Sequence, residues 1–134
     1  MSEPKPILVT AGIILRENEI LICQRHHSDP YGMQWEFPGG KVKDGEGLAA
    51  SLRRELHEEL GVDAAIGKEV YRLRHRYPDR YVEVIFFRVQ SYQGEISNRV
   101  FESIEWVPRR ELAGYNFLEA DRLLVKQIAE GALV

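Results

Sequence analysis

Residues 47–60 give the strongest helix signal in the chain and constrain the fold more than any other stretch. After the first position this segment contains only helix-compatible residues, and Gly61 supplies the glycine that commonly ends a helix. Asp44 is predicted to cap the first turn. Apolar side chains recur every four residues and form one stripe, which comprises Leu48, Leu52, Leu56 and Leu60. The sequence therefore predicts an amphipathic helix with one buried face.

Three glutamates lie on neighbouring parts of this helix. Glu55 is followed three and four positions later by Glu58 and Glu59, and side chains at these spacings adjoin each other. Two interpretations stay open from the helix pattern alone: a solvated acidic face, or a site for a hard cation such as Mg²⁺, which prefers carboxylate oxygens. The turn at residues 37–40 favours the second, because its two glycines let a backbone come close to the helix.

Short β-rich runs surround this helix, and polar or proline-containing turns separate them. The predicted strands are residues 7–15 and 20–25 as one hairpin, 35–37, 70–77 and 81–90 as a second hairpin, and 100–107. A second helix is predicted at residues 119–129, with Leu123, Leu124, Ile128 and Ala129 buried. Strands interrupted by two separated helices are typical of a layered α/β or α+β domain.

Composition limits the class of protein. A chain of 134 residues without repeats or a long linker predicts one domain, residues 1–134. The net charge of −3 argues against a partner such as DNA or RNA but not against a free nucleotide. A single cysteine, Cys23, suits a reducing cytosol. Residues 1–6 lack the apolar core of a signal peptide and no run is long enough to span a membrane, so we expect a cytoplasmic protein.

A set of spaced residues around the acidic helix carries a family resemblance. Its order is glycine, five residues, glutamate, seven residues, Arg-Glu, an aliphatic residue, any residue, Glu-Glu, any residue, glycine and an aliphatic residue. The residues at these positions are Gly40, Glu46, Arg54, Glu55, Leu56, Glu58, Glu59, Gly61 and Val62. This pattern resembles the box of the Nudix family. The resemblance implies an α/β/α sandwich around a central mixed β-sheet, and hydrolysis of a phosphoanhydride bond with Mg²⁺ or Mn²⁺.

The resemblance also implies roles for individual residues. The catalytic residues would be Glu55, which takes the proton of the attacking water, Arg54, which orients a glutamate, and Glu58. The implied metal site comprises Gly40, Glu55, Glu58, Glu59 and an additional glutamate outside the box. Glu46 and Gly61 would support the loop and the helix. We place the additional glutamate at Glu102, two positions after Val100 and on the same face of a predicted strand, with Glu95 and Glu105 as alternatives.

Beyond the box the chain resembles the MutT-like branch of nucleoside triphosphate pyrophosphohydrolases. This likeness implies that the substrate is bound by Arg25, Glu36, Phe37, Arg80 and Asp121. Asp121 stands where the bacterial 8-oxo-dGTP enzymes have asparagine, and an ionised carboxylate only accepts hydrogen bonds. Relatives that hydrolyse CTP, dCTP or 5-methyl-dCTP are therefore close contenders. The implied partner is a small nucleotide, the implied role is nucleotide pool sanitation, and the chain would act as a monomer or homodimer.

Two alternatives to this branch stay open. One is a Nudix hydrolase that acts on ADP-ribose, a nucleotide sugar or a dinucleoside polyphosphate. The other is an inactive nucleotide sensor, which the complete box disfavours. Trp35 and Trp106 are predicted to be packing residues. The four histidines (His26, His27, His57 and His75) show no spacing typical of a metal site.

Overall fold

The computed structural model describes residues 4–134. The segment of residues 1–6, in which no signal peptide is predicted, therefore lies partly outside the described residues. The strands within this range are β1 (Ile7–Ile13), β2 (Leu15–Arg16), β3 (Glu19–Gln24), β4 (Trp35–Glu36), β5 (Gly39–Lys41), β6 (Asp63–Arg76), β7 (Tyr81–Gln93) and β8 (Ser103–Pro108). The α-helices are α1 (Leu48–Leu60) and α2 (Arg122–Ala129), and 3-10 helices span Arg109–Gly114 and Glu119–Asp121. No helix of the described residues is long and apolar enough to cross a membrane.

The strands form two four-stranded sheets. The first has the order β5-β1-β7-β6 and is mixed, because β1 runs parallel to β7 and antiparallel to β5. In the second, β3 pairs with β2, β4 and β8, all antiparallel. The long hairpin of β6 and β7 confirms the second predicted hairpin and extends it at its open end.

The two α-helices pack on opposite faces of the mixed sheet. Along β7, Val84 and Phe86 belong to the same buried cluster as the apolar face of α2, whereas Ile85 and Phe87 belong to the cluster that contains the leucines of α1. Because successive strand residues point to opposite faces, β7 is apolar on both sides, as expected for a covered central strand. The arrangement confirms the predicted α/β/α sandwich around a mixed sheet.

The helix that carries the glutamates ends as predicted but begins differently. Gly61 adopts the left-handed conformation at its C-terminus (φ 74°), which glycine tolerates best. The predicted cap at Asp44 is wrong, because the cap position is Gly47 and no side chain bonds there. Glu46 instead closes the preceding loop by accepting a hydrogen bond from the backbone N–H of Lys43 (3.0 Å).

The first predicted hairpin is also wrong in part. Only the short β2 forms a hairpin with β3, whereas β1 leaves this sheet and lies between β5 and β7. The reason is burial on both sides of the strand, since residues 10–14 are all buried and a hairpin with one solvated face would expose half of them. Hydrophobic pattern alone cannot distinguish these two pairings.

Two predictions near the C-terminus need correction. β8 begins at Ser103 rather than at residue 100, so Val100 and Glu102 lie before the strand and the argument that they share a face does not apply. In α2, Leu124 and Ile128 are buried as predicted, but Leu123 is 58% exposed and Val125 takes its place in the core. Residues 119–121 form a 3-10 turn and α2 begins only at Arg122, so the segment is not the continuous α-helix from which those buried positions were expected.

Candidate active site

The glycine turn before α1 presses its backbone against a glutamate of the helix. A Cβ atom placed on Gly40 would lie 2.5 Å from Cδ of Glu55 and 2.6 Å from each of its carboxylate oxygens. Only glycine allows this approach, because real Cβ contacts are essentially never shorter than 3.0 Å. The carboxylate of Glu55 therefore lies directly against the backbone of the turn.

Arg54 joins the carboxylates of the loop and the helix. Its guanidinium donates to both oxygens of Glu46, at 2.8 and 3.0 Å, and to Glu55 at 3.0 Å. It also donates to the backbone carbonyl of Lys41 at 3.1 Å and to Glu58, four positions later in the helix, at 3.3 Å. The paired guanidinium holds the pKa of Glu46 at about 2. This forked donor set fixes two glutamates relative to each other, as a lysine could not.

Two glutamates beside the turn, Glu55 and Glu59, have pKa values above the ordinary value for a carboxyl group. Burial, together with the charges of Glu36 and Glu55, raises the pKa of Glu59 to about 9, although its carboxylate accepts a hydrogen bond from the N–H of Gly39 (3.0 Å). Burial also raises the pKa of Glu55, against the opposing effect of Arg54. Carboxyl groups that resist ionising unless positive charge is nearby are suited to holding a hard divalent cation.

These glutamates line one wall of a cavity of about 450 Å³. Its acidic lining residues outnumber its basic ones. The acidic residues are Asp29, Glu36, Glu55, Glu58, Glu59 and Asp121, and the basic residues are Arg25, Lys41 and Arg80. A polyphosphate would be repelled by this wall unless cations were bound to it, so the charge of the cavity fits a metal-bound substrate better than a free anion.

All five predicted substrate-binding residues line the same cavity. Arg25 donates to Glu36 at 2.9 Å and to the carbonyl of Pro30 at 2.9 Å, so its side chain is fixed from two sides. Asp121 is 5% exposed, and burial together with the charge of Glu36 raises its pKa, while Arg25 opposes the shift. A buried carboxyl of this kind can carry a proton and donate a hydrogen bond.

The predicted residue Arg80 belongs to a polar cluster whose other members, Tyr31, Tyr77 and Asp79, are not among the predicted site residues. The hydroxyl of Tyr31 donates to Asp79 at 2.8 Å, and Arg80 donates to the other oxygen of the same carboxylate at 2.8 and 3.0 Å. Tyr77 packs against Tyr31 and accepts a hydrogen bond from the N–H of Ala120 (3.0 Å). Tyr31 has a positive φ of 58°, which no local sequence signal predicts for a tyrosine.

Two other predicted site residues differ in their surroundings. Phe37 lines the cavity but is only 3% exposed, and its ring packs between Phe86 and Phe117. Glu102 is not brought to the glutamates of α1: its carboxylate accepts hydrogen bonds from the N–H and the imidazole of His27, at 3.1 and 2.8 Å. The cavity wall at this point is instead formed by residues 100 and 101.

Comparisons with known proteins agree with this geometry. A family model described as the NUDIX domain matches residues 6–128. The chain is 34% identical over 128 residues to an "8-oxo-dGTP diphosphatase" of Haemophilus influenzae, which covers 94% of this chain and 93% of that protein. It is 35% identical over 118 residues to a "CTP pyrophosphohydrolase" of Escherichia coli, which covers 87% of each.

The fold has solved counterparts as well. The crystal structure of a MutT protein from Methanosarcina mazei superimposes with a TM-score of 0.85, at 22% identity, over 96% of this chain and 97% of the other. At that identity the likeness concerns the fold alone. The family match, the two relatives and the occupied box positions agree with one another. The chain therefore belongs to the Nudix family of hydrolases.

Proposed function

We propose that this protein is a Mg²⁺-dependent, MutT-like pyrophosphohydrolase that converts a nucleoside triphosphate to the monophosphate and pyrophosphate. The observation that carries the proposal is the contact between Gly40 and Glu55 beside Glu58 and Glu59, all within one cavity wall. The donor set of oxygen atoms fits Mg²⁺, for which Mn²⁺ can substitute. We further propose that residues 1–134 act as one domain.

Each residue of this wall has a task in the proposed mechanism. Glu58 and Glu59, with Glu55 and the backbone of Gly40, would hold the metal. The bound metal supplies positive charge against the phosphate oxygens and lowers the pKa of water. Glu55 would accept the proton of the attacking water. Arg54 holds the carboxylates of Glu55 and Glu58 in fixed relative positions through its hydrogen bonds to both.

The base would be held at the end of the cavity that contains Asp121. A neutral, buried Asp121 can donate as well as accept, so it can pair with an exocyclic amino group or with a ring nitrogen. Arg25 and Glu36 adjoin it, and Arg80 closes the rim. These side chains favour a modified or pyrimidine nucleotide as the substrate, namely 8-oxo-dGTP, CTP, dCTP or 5-methyl-dCTP. The names of the two relatives fall within the same group.

Carboxamide variants of the helix glutamates test the metal-binding wall. Glu55→Gln and Glu58→Gln preserve size and remove charge, so we expect both proteins to fold and to lose several orders of magnitude in kcat. Steady-state pyrophosphate release would measure the loss, with circular dichroism as the check on folding. Glu130→Gln is the matched control, since Glu130 is exposed at the C-terminal end of α2 and does not line the cavity. Unchanged turnover in both variants would refute the assignment.

A substrate panel tests the base-binding end separately. Purified protein with Mg²⁺ would be assayed against 8-oxo-dGTP, dCTP, 5-methyl-dCTP and ADP-ribose, and kcat/KM compared. We expect a nucleoside triphosphate to rank first. First rank for ADP-ribose would refute the pyrophosphohydrolase assignment, because it would place the reaction in a different branch of the family.

A further inference from the structure

Two adjacent histidines and a distant glutamate meet at the edge of the cavity, outside the glutamate wall. One ligand atom each from His26, His27 and Glu102 lies within 4.8 Å of the others. The imidazole of His27 is hydrogen-bonded to Glu102 at 2.8 Å, and the two imidazole rings are 4.2 Å apart between centroids. Glu102 lies 75 positions from His27 along the chain, so spacing in the sequence could not predict this cluster.

The cluster is already ordered by its surroundings. The backbone N–H of Glu102 donates to the carbonyl of Gln24 (2.9 Å), and its carboxylate accepts a second bond from the backbone N–H of His27 (3.1 Å). Nδ1 of His26 is 2.7 Å from Oγ of Ser28. The hydrogen bonds between backbone and side chain hold the three ligands close together without a metal, which reduces the entropy lost when an ion is bound.

We propose that His26, His27 and Glu102 form a second cation site, selective for a borderline divalent metal such as Zn²⁺ or Co²⁺ over Mg²⁺. Two imidazole nitrogens and one carboxylate oxygen are ligands of transition metals, whereas Mg²⁺ prefers oxygen ligands alone. Three protein ligands leave one position of a tetrahedral site for water or another ligand. The exposed side chain of His27 (67%) gives the ion a direct path from solvent.

An ion at this site would act on the substrate end of the cavity. His26 directly follows Arg25, which lines the cavity and donates to Glu36. On the other side, Glu102 follows Val100 and Phe101, which line the same cavity. The ion would tie these two wall segments together, independently of the metal bound by the helix glutamates.

Binding can be measured at individual histidines without any turnover. Long-range ¹H–¹⁵N spectra of the imidazoles would be recorded as Zn²⁺ is added, with Mg²⁺ in large excess to occupy the glutamate wall. We expect the ring nitrogens of His26 and His27 to shift and to saturate at one equivalent of Zn²⁺, while those of His57 and His75 stay in place. Absence of the shift, or equal shifts of all histidines, would overturn the proposal.

Variants separate this site from the glutamate wall. His27→Gln and Glu102→Gln each remove one ligand from an exposed position and should weaken Zn²⁺ binding by about tenfold or more. His57→Gln removes an exposed histidine outside the cluster and should leave the affinity unchanged, as should Glu58→Gln. Retention of wild-type affinity in both His27→Gln and Glu102→Gln would refute the site. A fall in affinity in Glu58→Gln would assign the ion to the catalytic wall instead.

Discussion

Adding one methyl group at Gly40 is the perturbation that the structure predicts most sharply. The new Cβ would lie 2.5–2.6 Å from the carboxylate of Glu55, and ordinary contacts begin at 3.4 Å. The carboxylate must therefore retreat by about 0.8–0.9 Å, and it can do so because it is the end of a flexible side chain that lines the cavity. A displacement of about 1 Å of a catalytic group costs on the order of 10²-fold in rate. We therefore expect Gly40→Ala to lower kcat by about 100-fold while the protein stays folded.

The assay compares two alanine variants. Pyrophosphate release at saturating nucleotide and Mg²⁺ gives kcat, and urea unfolding gives the stability difference. Gly114→Ala is the matched control, because its Cβ would meet no atom within 4 Å and its backbone has no positive φ. A folded Gly40→Ala protein with wild-type kcat would show that Glu55 does not need its observed position, and would refute the reasoning.

Three further predictions concern the charged groups around this contact. Arg54→Lys should lower kcat by about 10-fold to 100-fold, since one ammonium cannot replace the fork between Glu46 and Glu55; a wild-type rate would contradict this. Glu46 has a pKa lowered to about 2, so it contributes stability above its ordinary pKa of 4.5 and loses it as pH falls towards 2. Glu46→Gln should therefore unfold more easily than wild type in urea at neutral pH, and the gap should close in acid. The raised pKa of Asp121 makes wild-type stability fall as pH rises through 3.8 towards that pKa. Asp121→Asn should accordingly raise Tm more near neutral pH than in acid; an equal gain at both pH values would exclude this burial cost.

The local parts of the site could be predicted from the sequence. The leucine stripe of α1 and the stop at Gly61 depend on helix geometry within a few turns, and the structure has both. The spacing of Glu55, Glu58 and Glu59 likewise required only the period of a helix to place them together.

The remaining parts depend on contacts that local patterns do not encode. β1 was predicted in the wrong sheet because an apolar run does not specify its partner strand. Asp44 is a good capping residue in isolation, but the hydrogen bonds of Glu46 to Arg54 and Lys43 shape the loop and leave Gly47 at the cap position. Glu102 joins His27 across 75 positions of the sequence, a proximity that only the folded chain creates.

The identity of the products tests the central claim most directly. ³¹P NMR of a reaction with the preferred nucleoside triphosphate would be recorded with Mg²⁺ and, in parallel, with EDTA. We predict nucleoside monophosphate and pyrophosphate in equal amounts with Mg²⁺, and no reaction with EDTA. Release of orthophosphate and nucleoside diphosphate, or unchanged turnover in EDTA, would contradict a metal-dependent pyrophosphohydrolase.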